Sequence, residues 1–251
     1  AQAQWPFGKE KIRNLDNFDK SRLSWGYTLG FNSYDFDFDY KNQTEDIIVE
    51  KSVGFNVGLL GNLRLNDYLD LRLEPMVAFS SRNLIFPFAG EDDQDRLREV
   101  KSTYVHIPLL LKVSPDIEDH HISEIVDVAT KNDISAMILT NTTDGNRDKL
   151  ISDMKKEKGG LSGEPLQQIS TNMIKKFYKQ LNGKIPIIGV GGINSGKSAY
   201  EKIIAGASLL QLYTSFVYRG PSAAKDIKKE LIQILKAEGL NNIKEAIGKG
   251  A

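Results

Sequence analysis

The stretch Val100-Lys101-Ser102-Thr103-Tyr104-Val105-His106-Ile107-Pro108-Leu109-Leu110-Leu111-Lys112-Val113-Ser114-Pro115-Asp116 decides the fold, because the chain changes its pattern inside it. Before it, apolar residues recur at every second position. Leu23, Trp25, Tyr27, Leu29 and Phe31 alternate with Ser24, Gly26, Thr28 and Gly30; Tyr34, Phe36, Phe38 and Tyr40 alternate with Asp35, Asp37 and Asp39. Leu69, Leu71, Leu73, Pro75, Val77 and Phe79 continue the period. A period of two places each set on one face of a strand. The spacing predicts strands near 22–31, 34–40, 53–65, 68–80, 83–88 and 100–113, with turn residues at Asn32-Ser33 and Asn66-Asp67. That is an antiparallel meander.

After about residue 108 the pattern becomes strand, loop and helix, repeated. Pro108 to Val113 reads as a strand, and Ile122, Ile125, Val126 and Ala129 mark a helix, with Glu118 and Asp119 suited to its positive end. Strands follow at Ala136–Thr140, Ile185–Val190 and Ser208–Tyr213. Helices follow with Ser170 as N-cap of one carrying Ile174, Phe177, Tyr178 and Leu181, then at Ser195–Ala205, then along Ile227, Leu231, Ile234 and Leu235. Four βα units predict parallel strands covered by helices. The fold class is therefore mixed. An antiparallel β region over 1–107 precedes a parallel α/β region of four βα units over 108–251.

Composition changes at the same place. The whole chain has 33 basic and 33 acidic residues. Up to Leu111 there are 13 basic against 17 acidic side chains and 16 aromatics; beyond it there are 20 against 16, and 6 aromatics. Zero net charge argues against a protein that coats nucleic acid. The absence of cysteine excludes disulfides, thiolate metal sites and a cysteine nucleophile. No run of ~18 apolar residues is present, so no transmembrane helix is expected.

Three glycine-bearing loops follow strand ends, where α/β folds hold ligands: Gly159-Gly160-Leu161-Ser162-Gly163, Gly191-Gly192-Ile193, and the turn after Tyr213-Thr214-Ser215. Glycines let backbone amides approach an anion closely, although each loop alone reads equally well as a tight turn. Gly191 to Ser198 also fits the P-loop spacing G-x-x-x-x-G-K-[ST]. The neighbouring strands Met137–Thr140 and Leu209–Tyr213 carry no carboxylate for magnesium, which argues against a nucleoside triphosphatase. The adjacent His120 and His121 point to different helix faces and read as a solvated helix start, not a metal site.

Leu111-Lys112-Val113-Ser114-Pro115-Asp116, Thr140-Asn141-Thr142-Thr143, Gly159 to Leu166, Pro186 to Ile193 and Ala205 to Thr214 occur in order. Together they closely resemble the C-terminal half of class 2 (quinone-linked) dihydroorotate dehydrogenase, over residues 108–251. The resemblance implies an FMN-binding half of a (β/α)8 TIM barrel on the cytoplasmic side of the inner membrane, with orotate or dihydroorotate and quinone as partners. Carried onto matching positions, it implies flavin contacts by Lys112 and Thr140, and backbone contacts to FMN by Gly163 and Gly192. Tyr213 and Thr214 would belong to the phosphate cup, and Asn141 and Thr142 would bind orotate. The bland alternative for Asn141 and Thr142 is an Asx/ST turn. The family's catalytic serine lies in its other half. Ser24, Ser33, Ser52, Ser80 and Ser81 sit in unrelated contexts, so an inactive flavoprotein is expected.

Trp25 to Asn32, Gly54 to Leu60, Leu69 to Pro75 and Val100 to Lys112 resemble the PorT family of outer-membrane β-barrel proteins, associated with secretion and gliding. That resemblance implies an outer-membrane location and a non-enzymatic role. Barrels of this kind need at least about eight strands to close, more than the meander supplies, so a partial barrel is expected. Pro108-Leu109-Leu110-Leu111-Lys112 fits both families. The pattern is that of a chimera of two truncated proteins.

Overall fold

The computed structural model describes residues 21–36, 38, 46–87, 96–145, 147, 150–151, 153–156 and 159–251. Its residues gather into two compact units. One takes Ser24–Gly61 with Leu73–Pro108; the other takes Asn62–Arg72 with Leu109–Ala251.

The first unit is antiparallel. Its strands are β1 (Leu23–Asn32), β2 (Ile48–Lys51), β3 (Gly54–Arg64), β5 (Met76–Phe86) and β6 (Arg96–His106), β4 (Leu69–Leu73) lying between β3 and β5 in the chain. β5 is the hub. It pairs with β6 along its whole length, from Met76↔His106 to Phe86↔Arg96, while β3 (Phe55↔Phe79) and β2 (Lys51↔Arg82) also pair with it. β1 pairs with β3. The alternating pattern of β1 survives as alternating exposure, with Trp25, Tyr27, Leu29 and Phe31 on the open face.

Four strand expectations are corrected. The span 68–80 is two strands parted at Glu74-Pro75, since proline has no N–H for a ladder and restricts the residue before it. The separate strand at 83–88 is the end of β5, because Ser80-Ser81-Arg82 keeps register with Ser102-Lys101-Val100 instead of turning. The span 100–113 divides at Ile107-Pro108 for the same reason as Glu74-Pro75. Residues 34–36 and 38 are not strand; 37, 39 and 40 lie outside the described residues. β2 went unforeseen because four residues are too few to show a period.

The second unit holds β7 (Leu109–Val113), α1 (Ile122–Lys131), β8 (Ala136–Leu139), α2 (Gln167–Leu181), β9 (Ile187–Val190), α3 (Gly196–Ile204), β10 (Leu209–Gln211), α4 (Thr214–Arg219) and α5 (Ser222–Ala237). β7, β8, β9 and β10 are parallel neighbours in that order, and β4 lies on the other side of β7. Parallel strands need covering on both faces, and β8 is buried at all four positions. Leu111, Val113, Met137, Leu139 and Ile187 pack against Ile122, Val126, Ile174 and Phe177 of α1 and α2. Leu110, Ala136 and Ile138 face the other way, with Ile188 and Val190. Leu69 and Leu71 of β4 extend the helix-covered layer.

Ser170 is not an N-cap. α2 begins at Gln167, after a 3-10 turn at Glu164–Leu166, and Ser170 lies buried inside the helix. The cap reading failed because Pro165 at that turn already starts the helical path. Ser195, by contrast, caps α3, its hydroxyl accepting from Ser198 N–H at 3.2 Å. No helix among the described residues is long and apolar enough to cross a membrane.

Candidate functional site

Strand alternation sets the site. Leu111 and Val113 turn to the helices, so Leu110 and Lys112 lie on the opposite face, with Lys112 in register with Ile138. Asp70 of β4, flanked by the helix-facing Leu69 and Leu71, falls on that same face. Its Oδ2 accepts from Asn141 Nδ2 at 3.3 Å.

The loops after β7 and β8 are locked together. Asp116 Oδ1 accepts from Thr143 Oγ1 at 2.5 Å and its Oδ2 from Asp144 N–H at 3.0 Å. Thr143 and Leu161 exchange backbone hydrogen bonds of 3.1 and 2.7 Å, which brings the 159–163 loop back over 140–142. Gly160 then lies so close that a Cβ there would sit 2.0 Å from Thr142 Oγ1. At the other end of this loop, Thr214 Oγ1 donates to Ser162 Oγ at 3.0 Å, and a Cβ on Gly163 (φ +86) would meet Thr214 Cγ2 at 3.1 Å. Gly192 has φ +71 and backs onto Gln167, where a Cβ would be 2.5 Å away. Ser215 Oγ donates to Ile193 O.

Gly163, Gly192 and Thr214 thus converge on neighbouring loops, and their N–H groups donate to no acceptor among the described residues. The other expected positions differ in setting. Thr140 is 1% exposed, its hydroxyl donating to Asn141 O at 3.1 Å and its N–H to Val190 O at 3.3 Å. Asn141 Oδ1 accepts from Thr142 N–H at 3.0 Å, an Asx-type turn. Tyr213 precedes α4 with its side chain mostly exposed.

The P-loop spacing serves α3's cap. Ser198 Oγ accepts the N–H groups of Asn194 and Ser195 at 3.0 Å, Gly196 N–H donates to Glu230 Oε2 at 2.6 Å, and Lys197 is exposed. His120 and His121 pair with Glu118 and Glu124 at 3.3 and 3.4 Å in water, and no metal-binding group of carboxylates and histidines occurs among the described residues.

Sequence patterning missed Lys202. It is fully buried, its Nζ donating to Ser170 Oγ at 3.0 Å, Thr171 Oγ1 at 3.2 Å and Gln167 O at 3.3 Å. Burial lowers its pKa to about 8, against the pull of Glu201. Asp70 was missed as well. Its only signal was its place between two apolar residues of a strand.

A family model for dihydroorotate dehydrogenase matches residues 88–235. The chain belongs to that family. Among curated relatives, the mitochondrial dihydroorotate dehydrogenase (quinone) of Arabidopsis thaliana is 45% identical over 142 residues, covering 56% of this chain and 31% of its own. The dihydroorotate dehydrogenase (quinone) of Xanthobacter autotrophicus is 43% identical over 199 residues, covering 77% of this chain and 56% of its own. A ligand-free dihydroorotate dehydrogenase structure from Eimeria tenella aligns with TM-score 0.54 and 44% identity, over 56% of this chain and 39% of that one. The chain spans about a third to just over half of the length of these dehydrogenases. A second model, an outer membrane protein beta-barrel domain, matches residues 2–115 and overlaps the first over 88–115.

Proposed function

We propose that residues 108–251 form a flavin-binding half barrel of the dihydroorotate dehydrogenase (quinone) type, with FMN as cofactor. The observation that carries this is the convergence of Gly163, Gly192 and Thr214 with unspent N–H groups beside the Thr214 and Ser162 hydroxyls. Such a cluster fits a phosphate, which only accepts hydrogen bonds. Bound there, FMN would supply two-electron redox chemistry. Gly163, Gly192, Tyr213 and Thr214 would hold its phosphate end. Lys112 and Thr140 would lie toward its ring, Lys112 offering a cation to a reduced, anionic flavin, and Asn141 and Thr142 would take orotate.

Proton abstraction from dihydroorotate needs a base within hydrogen-bond reach. On this reading none of Ser24, Ser33, Ser52, Ser80 and Ser81 serves as that base, and the expected state is flavin-loaded but inert. The test is direct. Purified protein is heated and the supernatant examined for FMN fluorescence; stripped protein is then titrated with FMN. Saturable quenching that Thr214→Val weakens, with no bleaching by dihydroorotate, supports the reading. Absence of FMN binding by the folded chain defeats it.

The exposed row Trp25, Tyr27, Leu29 and Phe31 favours a second reading, in which the first unit derives from an outer-membrane barrel of the PorT type. On that reading the chain is a chimera joined near Pro108-Leu109-Leu110-Leu111-Lys112. Detergent partition with heat-modifiable gel mobility tests it.

A further inference from the structure

The β5–β6 ribbon buries a positive charge that no carboxylate among the described residues accompanies. Arg82 is 1% exposed, and no Asp or Glu among the described residues lies within ion-pair distance of it. Its Nη2 donates to Ser102 Oγ at 2.7 Å and to Tyr104 Oη at 3.2 Å, while its Nε donates to nothing. Ser80 lies two residues earlier on the same strand face and pairs across the ladder with Ser102. It is 6% exposed and its hydroxyl also lacks a partner. Tyr104 Oη receives from the guanidinium and lies against Ser102, which together hold its pKa below 10. These groups are rich in donors and short of an acceptor.

A guanidinium cannot shed its proton, so a buried one needs an acceptor or a counter-charge. Asp35, an acid among the described residues, does not supply it. Asp35 is held by Lys51 at 2.5 Å and by Phe36 N–H at 2.9 Å, and feels Arg82 only through space. Its negative charge favours a single rather than a double charge on any newcomer. Aromatic surfaces surround the cation: the Phe36 ring centroid is 4.2 Å from Arg82 Cζ, and Tyr34 stands 5.2 Å from Tyr104. Tyr104 itself is 38% exposed, so the cluster borders solvent through that ring.

We propose that Arg82, Ser80 and Tyr104 form a binding site for a monoanionic carboxylate carried on a flat apolar group. Arg82 Nε and Ser80 Oγ donate to the carboxylate, and Phe36 and Tyr104 cover the ring.

The full chain is observed by fluorine NMR with 4-fluorobenzoate and, separately, its neutral counterpart 4-fluorobenzamide. The expected result is line broadening of the benzoate alone, reversed by unlabelled benzoate. Arg82→Met should weaken binding at least tenfold and Ser80→Ala several-fold, while Asn141→Ala leaves it unchanged. That last variant separates this site from the orotate contacts proposed above. Equal broadening of the amide, no broadening by the folded chain, or loss in Asn141→Ala with retention in Arg82→Met would overturn the proposal. Where Arg82→Met fails to fold, unaltered affinity in a folded Ser80→Ala overturns it equally.

Discussion

Lys202 Nζ lies 3.0 Å from Ser170 Oγ, and that hydroxyl in turn donates to the carbonyl of Val190, the residue before Gly191-Gly192. A buried cation on α3 thereby fixes the first turns of α2 to the end of β9, next to the proposed phosphate loop. Ordinary lysines stay in water; this one is retained because three oxygens receive it.

Its titration has a defined sign. The folded value is about 8 and the ordinary lysine value 10.5, so between those pH values the unfolded chain binds more protons and stability rises with pH. We expect the rise to reach at most about 3 kcal/mol. Lys202→Met should lose about 1–3 kcal/mol at pH 7 by removing three hydrogen bonds from a buried site, and should lose the slope. Urea titrations from pH 7 to 11 on both proteins give the difference curve. A flat difference contradicts the assignment.

Gly192→Ala should be far more harmful than Gly183→Ala. Both have positive φ, +71 and +75, but a Cβ at Gly192 meets Gln167 at 2.5 Å and one at Gly183 meets nothing within 4 Å. The Gly183 variant should cost about 1 kcal/mol, from backbone strain alone. The Gly192 variant should cost about 3 kcal/mol or more, from strain plus overpacking, and weaken FMN retention. Thermal melts and flavin titration rank the two.

Asp70 places a carboxylate on the face that carries Lys112. Asp70→Asn should therefore raise the midpoint potential of bound flavin, because a negative charge there opposes an anionic reduced ring. Spectroelectrochemistry reads this directly, and an unchanged or lowered potential would refute the placement. A double-mutant cycle of Asp70→Ala with Asn141→Ala should show coupling of about 1 kcal/mol.

The open face of β1 should bind detergent. Trp25 and its neighbours Tyr27 and Leu29 are 73%, 79% and 74% exposed. Zwitterionic micelles should blue-shift the tryptophan emission, and Trp25→Phe should remove most of the shift. Leu29→Asp should reduce aggregation in water. Equal aggregation of both proteins would argue against this face as its source.

The helical half was legible because its periodic positions bury what they were expected to bury: Ile122, Ile125, Val126 and Ala129 all enter the core. The helix read at Ser195–Ala205 was legible at its start, where the Ser195 hydroxyl acts locally, on Ser198. Ser170 misled because the same residue type can spend its hydroxyl on a distant carbonyl and on Lys202, and no local spacing encodes those partners. The glycine loops were visible, but their convergence through Thr214 and Ser162 spans residues far apart in the chain. Arg82 was invisible for a simpler reason. An alternating strand pattern assigns a charged residue a face without saying how deeply that face is covered.

β10 ends the parallel array with only three residues, Leu209–Gln211, and on its far side no strand joins it among the described residues. A strand supplied in trans would find a very short zipper of main-chain bonds there. Complementation by a separately expressed strand-bearing fragment must therefore draw its grip from side-chain burial, and should respond to heat and urea as an oily interface does.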